Sequence, residues 1–150
     1  AENGSGDVGN YAMAAFDNST ATLHGGVFIA RGGVNNFALS NELTATMKAE
    51  NVTALAENGS SANHGLWNVN NAQVTVRGGS FTGRGGTYAY GISNVDSGSV
   101  LEAEGVTALA EDGSRTAAAK ANAAARFISR PPGLTGRLPA ARCRGRCRRT

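Results

Sequence analysis

Cysteine is nearly missing from this chain, and where it occurs it staples nothing in the body of the protein. Cys143 and Cys147 are the only two and lie within the last eight residues. Residues 1–114 therefore owe nothing to disulfides or thiol chemistry. Histidine is as scarce, with only His24 and His64. A zinc site needs three or four convergent ligands, so neither a metal nor a cofactor is expected. No run approaches the roughly 18 apolar residues that would span a bilayer, and no membrane span is expected. Charged residues are sparse at 17%, and acid is absent after Asp112. All 11 acidic residues lie at or before that point against four basic ones (Arg31, Lys48, Arg77, Arg84), a net charge of −7. Ten basic residues follow with no acid among them. The 21 glycines lack the G-X-Y beat of collagen.

Repetition fills the space these absences leave. Residues 11–63 and 64–116 are two copies of one 53-residue unit. His24-Gly-Gly-Val-Phe-Ile-Ala-Arg-Gly-Gly33 falls on Arg77-Gly-Gly-Ser-Phe-Thr-Gly-Arg-Gly-Gly86, and residues 37–41 fall on 90–94. After one residue of slack, AENVTALAENGS (49–60) falls on AEGVTALAEDGS (103–114). Self-similarity at a fixed period marks a solenoid. Each unit divides again, giving four turns at 11–33, 34–60, 61–86 and 87–114. Every turn holds three short alternating segments between corners rich in Gly, Asn and Ser, the pattern of strands bounded by turns.

The inward columns read as Met13, Leu39, Leu66, Ile92 for the first segment and Leu23, Met47, Val76, Val100 for the second. The third reads Phe28, Ala54, Phe81, Ala108, then Ala30, Ala56, Gly83, Ala110. Three strands and 23 to 30 residues per turn predict an all-β fold, a right-handed parallel β-helix of about four turns. The five- and six-residue beats of other β-solenoids are missing. YGISN, ENVTALAENGS and the recurring Gly-Gly corners resemble the repeats of bacterial surface and secreted proteins of the pectate-lyase-like β-helix superfamily. That resemblance covers about residues 1–114 and implies a fold more than an activity, since the fold hosts lyases, hydrolases, adhesins and stalks. The chain opens on Ala-Glu-Asn-Gly-Ser, the string that recurs at 56–60, and so reads as a piece of a longer protein.

Several columns invite functional readings. Asn41, Asn68 and Asn94 are placed to form an amide ladder at one corner, as in other cross-β stacks. Arg31, Glu57, Arg84 and Glu111 form a charge ladder whose sign alternates with each turn, and Glu2 fits the slot before it. Alternation of this kind opposes slipped registers. Tyr11, Phe37, His64 and Tyr90 make an aromatic column assigned to the core side. Glu57 and Glu111 stand roughly 9.5 Å apart by strand spacing, with an arginine between them. No catalytic residue is therefore expected within these turns. Threonine-rich outward columns (Thr20, Thr44, Gln73, Ser97; Thr22, Thr46, Thr75, Ser99) resemble an ice-binding array but are interrupted. Gly4-Ser-Gly-Asp-Val-Gly9 matches a dinucleotide-binding pattern without its strand–helix context.

Trp67, the only tryptophan, stands outward where its equivalents are Ala14, Ser40 and Ser93, with Asn70 and Asn71 close in sequence. An aromatic platform beside amides suits a sugar ring. The expected function is a structural or adhesive segment of a secreted or cell-surface bacterial protein that binds a polysaccharide or a host or cell-surface glycan. The alternative is a fragment of a polysaccharide lyase or glycoside hydrolase whose catalytic turns lie outside this chain. Residues 115–150 read as a separate tail. Alanine-rich 116–128 has helix propensity, and the arginine-rich remainder reads as disordered, a non-specific binder of anionic polymers or a spurious reading.

Overall fold

Segments of five to eight residues with alternating burial cannot stand alone, and here each finds its partner one turn away. The computed structural model describes residues 1, 9–121 and 124–128. Every element in them is a strand, paired in parallel with its equivalents in adjacent turns. The first turn holds β1 (Asn10–Ala15), β2 (Thr20–His24) and β3 (Val27–Arg31). The second holds β4 (Asn35–Glu42), β5 (Thr46–Glu50) and β6 (Thr53–Glu57). The third holds β7 (Ala62–Val69), β8 (Gln73–Arg77) and β9 (Ser80–Arg84), and the fourth β10 (Tyr88–Asn94), β11 (Val100–Glu104) and β12 (Thr107–Glu111). Strands β13 (Arg115–Ala121) and β14 (Ala124–Ile128) follow. The first sheet runs β1-β4-β7-β10-β13, the second β2-β5-β8-β11-β14, and the third β3-β6-β9-β12. This is a parallel β-solenoid of about four turns.

The core is a narrow apolar column between the three sheets. Leu39, Leu66, Ile92, Met47, Val76 and Phe81 have no exposed surface, and alanines such as Ala49, Ala54 and Ala56 fill the gaps between them. The corners turn through left-handed backbone. Asp17–Asn18, Leu43–Thr44 and Asn70–Asn71 all have positive φ, at equivalent places after the first strand of their turns. At Gly79, with φ 89°, a Cβ would strike the Val52 carbonyl oxygen one turn below, so only glycine fits.

Three expectations need correction. In the second sheet the inward columns are Ala21, Met47, Val74, Leu101 and Leu23, Ala49, Val76, Ala103. Val100 faces outward and is 37% exposed. Between the register-equivalent positions Ala15, Asn41, Asn68 and Asn94 and the second strand lie residues 16–19, 42–45 and 69–72 in the first three turns but 95–99 in the fourth, one residue more, so alignment by motif slips the register there. The outward columns shift too and become Thr20, Thr46, Gln73, Val100 and Thr22, Lys48, Thr75, Glu102, which breaks the threonine array.

Second, residues 116–121 and 124–128 are strands and not a helix. Strand β13 pairs with β10 and β14 with β11, so the stack continues past Ser114. Alanine's advantage in a helix is only a few tenths of a kcal/mol per residue over most alternatives. An open sheet edge offers a full ladder of backbone bonds instead. The side chains match that edge, with Ala119 on Ile92, Ala125 on Leu101 and Arg126 on Glu102. The arginine-rich segment 129–150, Glu2 and most of the Gly4–Gly9 motif lie outside the described residues.

Third, the aromatic column does not face the core. The pairing in the first sheet skips the residue after each ring. Consecutive residues Ala38 and Leu39 are both fully buried, and a Cβ on Gly65 would meet Thr82 N of the third sheet at 2.6 Å. Two successive residues thus point inward, as in a β-bulge. This reverses the parity and turns Tyr11, Phe37, His64 and Tyr90 to the outer face.

Candidate functional site

The outer face of the first sheet concentrates most of the chain's rings. Tyr11, Phe37, His64 and Tyr90 follow one another up the stack, with centroids 5.1, 5.2 and 5.0 Å apart. The first two pairs are nearly coplanar stacks, with interplanar angles of 15° and 18°. Those rings spend their faces on each other. Trp67 is oriented otherwise, 67° to His64 at 4.6 Å and 49° to Phe37 at 5.8 Å. It is half-buried, and its register neighbours Ser40 and Ser93 have no exposed surface. Of the five rings Tyr11, Phe37, His64, Trp67 and Tyr90 it is the one without a face-to-face partner among the described residues, and Phe16 beyond β1 meets Tyr11 only edge-on, at 75°.

Polar groups frame this surface. Ser40 Oγ donates to Glu42 Oε1 at 2.5 Å. Lys120 Nζ lies 5.3 Å from the Tyr90 centroid and the Arg115 guanidinium 5.6 Å from that of Tyr88, both within cation–π range. Burial, and then the Glu42 carboxylate, raise the Tyr11 phenol above its usual range. Tyr90 is also raised, by burial first and then by Tyr88, with Arg115 opposing. His64 Nδ1 lies 3.0 Å from Ser93 Oγ. Burial, and then the Lys120 charge, push its pKa down to about 3, so it is a neutral ring at ordinary pH. A serine beside a histidine suggests a nucleophile and its base. Ser93, however, has no exposed surface, and rings stack on both sides of His64, so this bond orients the imidazole within the stack.

Asn70 and Asn71 sit at the exposed corner after β7 in left-handed conformation. The Asn70 backbone N–H donates to Asp96 Oδ2 at 3.0 Å. The ring contacts of Trp67 are with Phe37 and His64, back along the strands and away from that corner.

At the same edge of the sheet, Asn41 Nδ2 donates to Asn68 Oδ1 at 2.8 Å, and Asn68 Nδ2 to Asn94 Oδ1 at 2.6 Å. Ala15 occupies the preceding position, and Asn41 Oδ1 is buried without a hydrogen-bond partner. Sequence reasoning missed a second ladder at the opposite corner. There Asn10 donates to Asn36 at 3.0 Å and Asn36 to Asn63 at 2.8 Å. Asparagines 26 and 27 residues apart were the available signal, masked because Ala89 interrupts the series.

Along the third sheet, Glu57 lies between Arg31 Nε at 2.7 Å and Arg84 Nη1 at 3.3 Å. Arg84 Nη2 reaches Glu111 at 2.7 Å, and this hydrogen bond and charge raise the guanidinium pKa further. Both carboxylates are thus held by arginine. Among the described residues no three His, Cys, Asp or Glu side chains are grouped to hold a metal, and no helix is long and apolar enough to cross a membrane. Compared with protein-family models, with curated proteins and with solved structures, the chain matches none.

Proposed function

We propose that this chain is a structural, adhesive segment of a secreted or cell-surface bacterial protein, which binds neutral glycans through the outer face of its first sheet at Trp67. The observation that supports the glycan reading is the placement of that indole. It is half-buried, tilted out of the ring stack, and flanked in register by the small residues Ser40 and Ser93. A sugar presents an apolar face for stacking and hydroxyls for hydrogen bonding, the usual division of labour in a ligand site. Glu42, bonded to the register neighbour Ser40, is the polar group nearest in the fold, while Asn70 and Asn71 stand at the corner beyond β7, away from the ring contacts of Trp67. The acidic repeat region disfavours polyuronates, since like-charged polymers are repelled. The arginine-rich tail gathers anionic polymers without specificity.

In this reading the solenoid is right-handed and related to the pectate-lyase-like β-helices that its repeats resemble. The pairing of both ladder carboxylates with arginines favours a stalk over a hydrolase within these turns. The test is affinity electrophoresis of the full chain and its Trp67→Ala variant in gels of neutral and acidic polysaccharides, with salt raised to suppress the tail. Retardation by a neutral polysaccharide that the variant loses supports the proposal. Retardation by acidic polymers alone, equal in both proteins, leaves only the tail's electrostatics.

A further inference from the structure

The pentapeptide Thr-Ala-Leu-Ala-Glu occurs twice, as β6 and as β12, and its two copies are unequally covered. In β6, Ala54 is 1% and Ala56 0% exposed. In β12 the equivalent Ala108 and Ala110 are only half-buried, and Leu109 is 42% exposed. The cause is topological. The first and second sheets run on to β13 and β14, whereas the third ends at β12 among the described residues. A slot one strand wide therefore lies beside β12. Thr107 N–H bonds back to the Gly79 carbonyl. Bonding alternates along a parallel strand, so the N–H groups of Ala108 and Ala110 point into the slot.

The columns of the third sheet specify what fits there. Phe28, Ala54, Phe81 and Ala108 alternate large and small, so the next residue is large. Ala30, Ala56, Gly83 and Ala110 are all small. Arg31, Glu57, Arg84 and Glu111 alternate in charge, so the next is a cation. The occupant reads large, any, small, cation. Residues 133–137 of this chain, Gly-Leu-Thr-Gly-Arg, supply Leu134, Gly136 and Arg137 in that order and share Thr-Gly-Arg with β9. Four residues separate them from the end of β14, against two between β8 and β9. Pro131 and Pro132 fall in that connector, where no ladder N–H is needed.

We propose that the open edge of β12 is the docking site for residues 133–137, with Arg137 pairing with Glu111 as Arg84 pairs with Glu57. The basic tail then contributes to the solenoid and blunts an edge that would otherwise invite strand pairing between molecules. Amide hydrogen exchange on the full chain tests this. Ala108 and Ala110 should be protected like Ala54 and Ala56. Leu134→Pro should reduce their protection by roughly tenfold or more while leaving β6 unchanged. Glu111→Arg and Arg137→Glu should each reduce it, and the double variant should restore it. Exchange of Ala108 and Ala110 as fast as corner amides, or protection unchanged by Leu134→Pro, would overturn the proposal. So would protection that rises with protein concentration, which would place a second copy in the slot.

Discussion

Replacing Asn68 by alanine removes the middle rung of the amide ladder, and the coordinates set the size of the loss. Asn68 accepts from Asn41 Nδ2 at 2.8 Å. It donates to Asn94 Oδ1 at 2.6 Å and to the carbonyls of Ala72 and Val100, both at 3.1 Å. A primary amide has two N–H bonds, so these three acceptors share two protons, and three full hydrogen bonds are at stake. At about 1 kcal/mol net each, they sum to about 3 kcal/mol. Asn41 Nδ2 keeps the carbonyls of Ala45 and Gln73, and the Ala72 carbonyl keeps Val100 N–H, so little is orphaned beyond the rung itself. The residue is fully buried, so the vacated space adds to the cost. A loss of about 3–5 kcal/mol is expected, a large share of the 5–15 kcal/mol typical of a folded domain. Urea unfolding followed by circular dichroism and by Trp67 fluorescence measures it, coincident transitions licensing a two-state analysis. A loss below about 1 kcal/mol, as for an exposed side chain, would refute the ladder's role.

Three further outcomes follow from the same geometry. Ala15→Asn should stabilise the chain by about 1 kcal/mol in the same urea assay, because its amide reaches the unpartnered Asn41 Oδ1; destabilisation would mean that the position cannot hold a rung. The folded pKa of His64 lies below that of a free imidazole, so the unfolded chain binds more protons between pH 6.5 and 3. Its stabilising contribution is full above about 6.5 and lost as pH falls towards 3, about 2 kcal/mol by pH 5; His64→Phe should remove that part of the pH slope, and an unchanged slope would contradict it. Arg84→Glu should aggregate three carboxylates at 57, 84 and 111 and lower the thermal midpoint more at low salt than at high, whereas equal losses at both would speak against the ladder.

The architecture was legible because periodicity constrains many residues at once. Leu39, Leu66 and Ile92 fall in one column wherever the corners are drawn, since a 26- or 27-residue step separates them. The second-strand register was not legible. Alanine fills inward positions as often as larger residues, so Ala21 and Ala49 gave no contrast against their neighbours. The fate of 116–128 was hidden for a related reason. The alanine-rich sequence signals a helix in isolation, and only the edges of β10 and β11 make strands of 115–121 and 124–128. At the candidate site the sequence singled out Trp67 from its small equivalents, but not the bulge at 65–66 that brings His64 and Phe37 to the same face. A bulge changes parity without leaving a residue type behind, and Gly65 and Gly91 were its only trace.

Trp67 is the proposed recognition surface, and the chain holds no second tryptophan to obscure its emission. Titrating the full chain with the neutral polysaccharide selected by electrophoresis, while following tryptophan emission, tests this most directly. A saturable change in Trp67 emission, with binding lost in Trp67→Ala by calorimetry and the fold intact by circular dichroism, is the expected result. Calorimetric binding that leaves the emission unmoved and survives Trp67→Ala would contradict it and place recognition elsewhere on the solenoid.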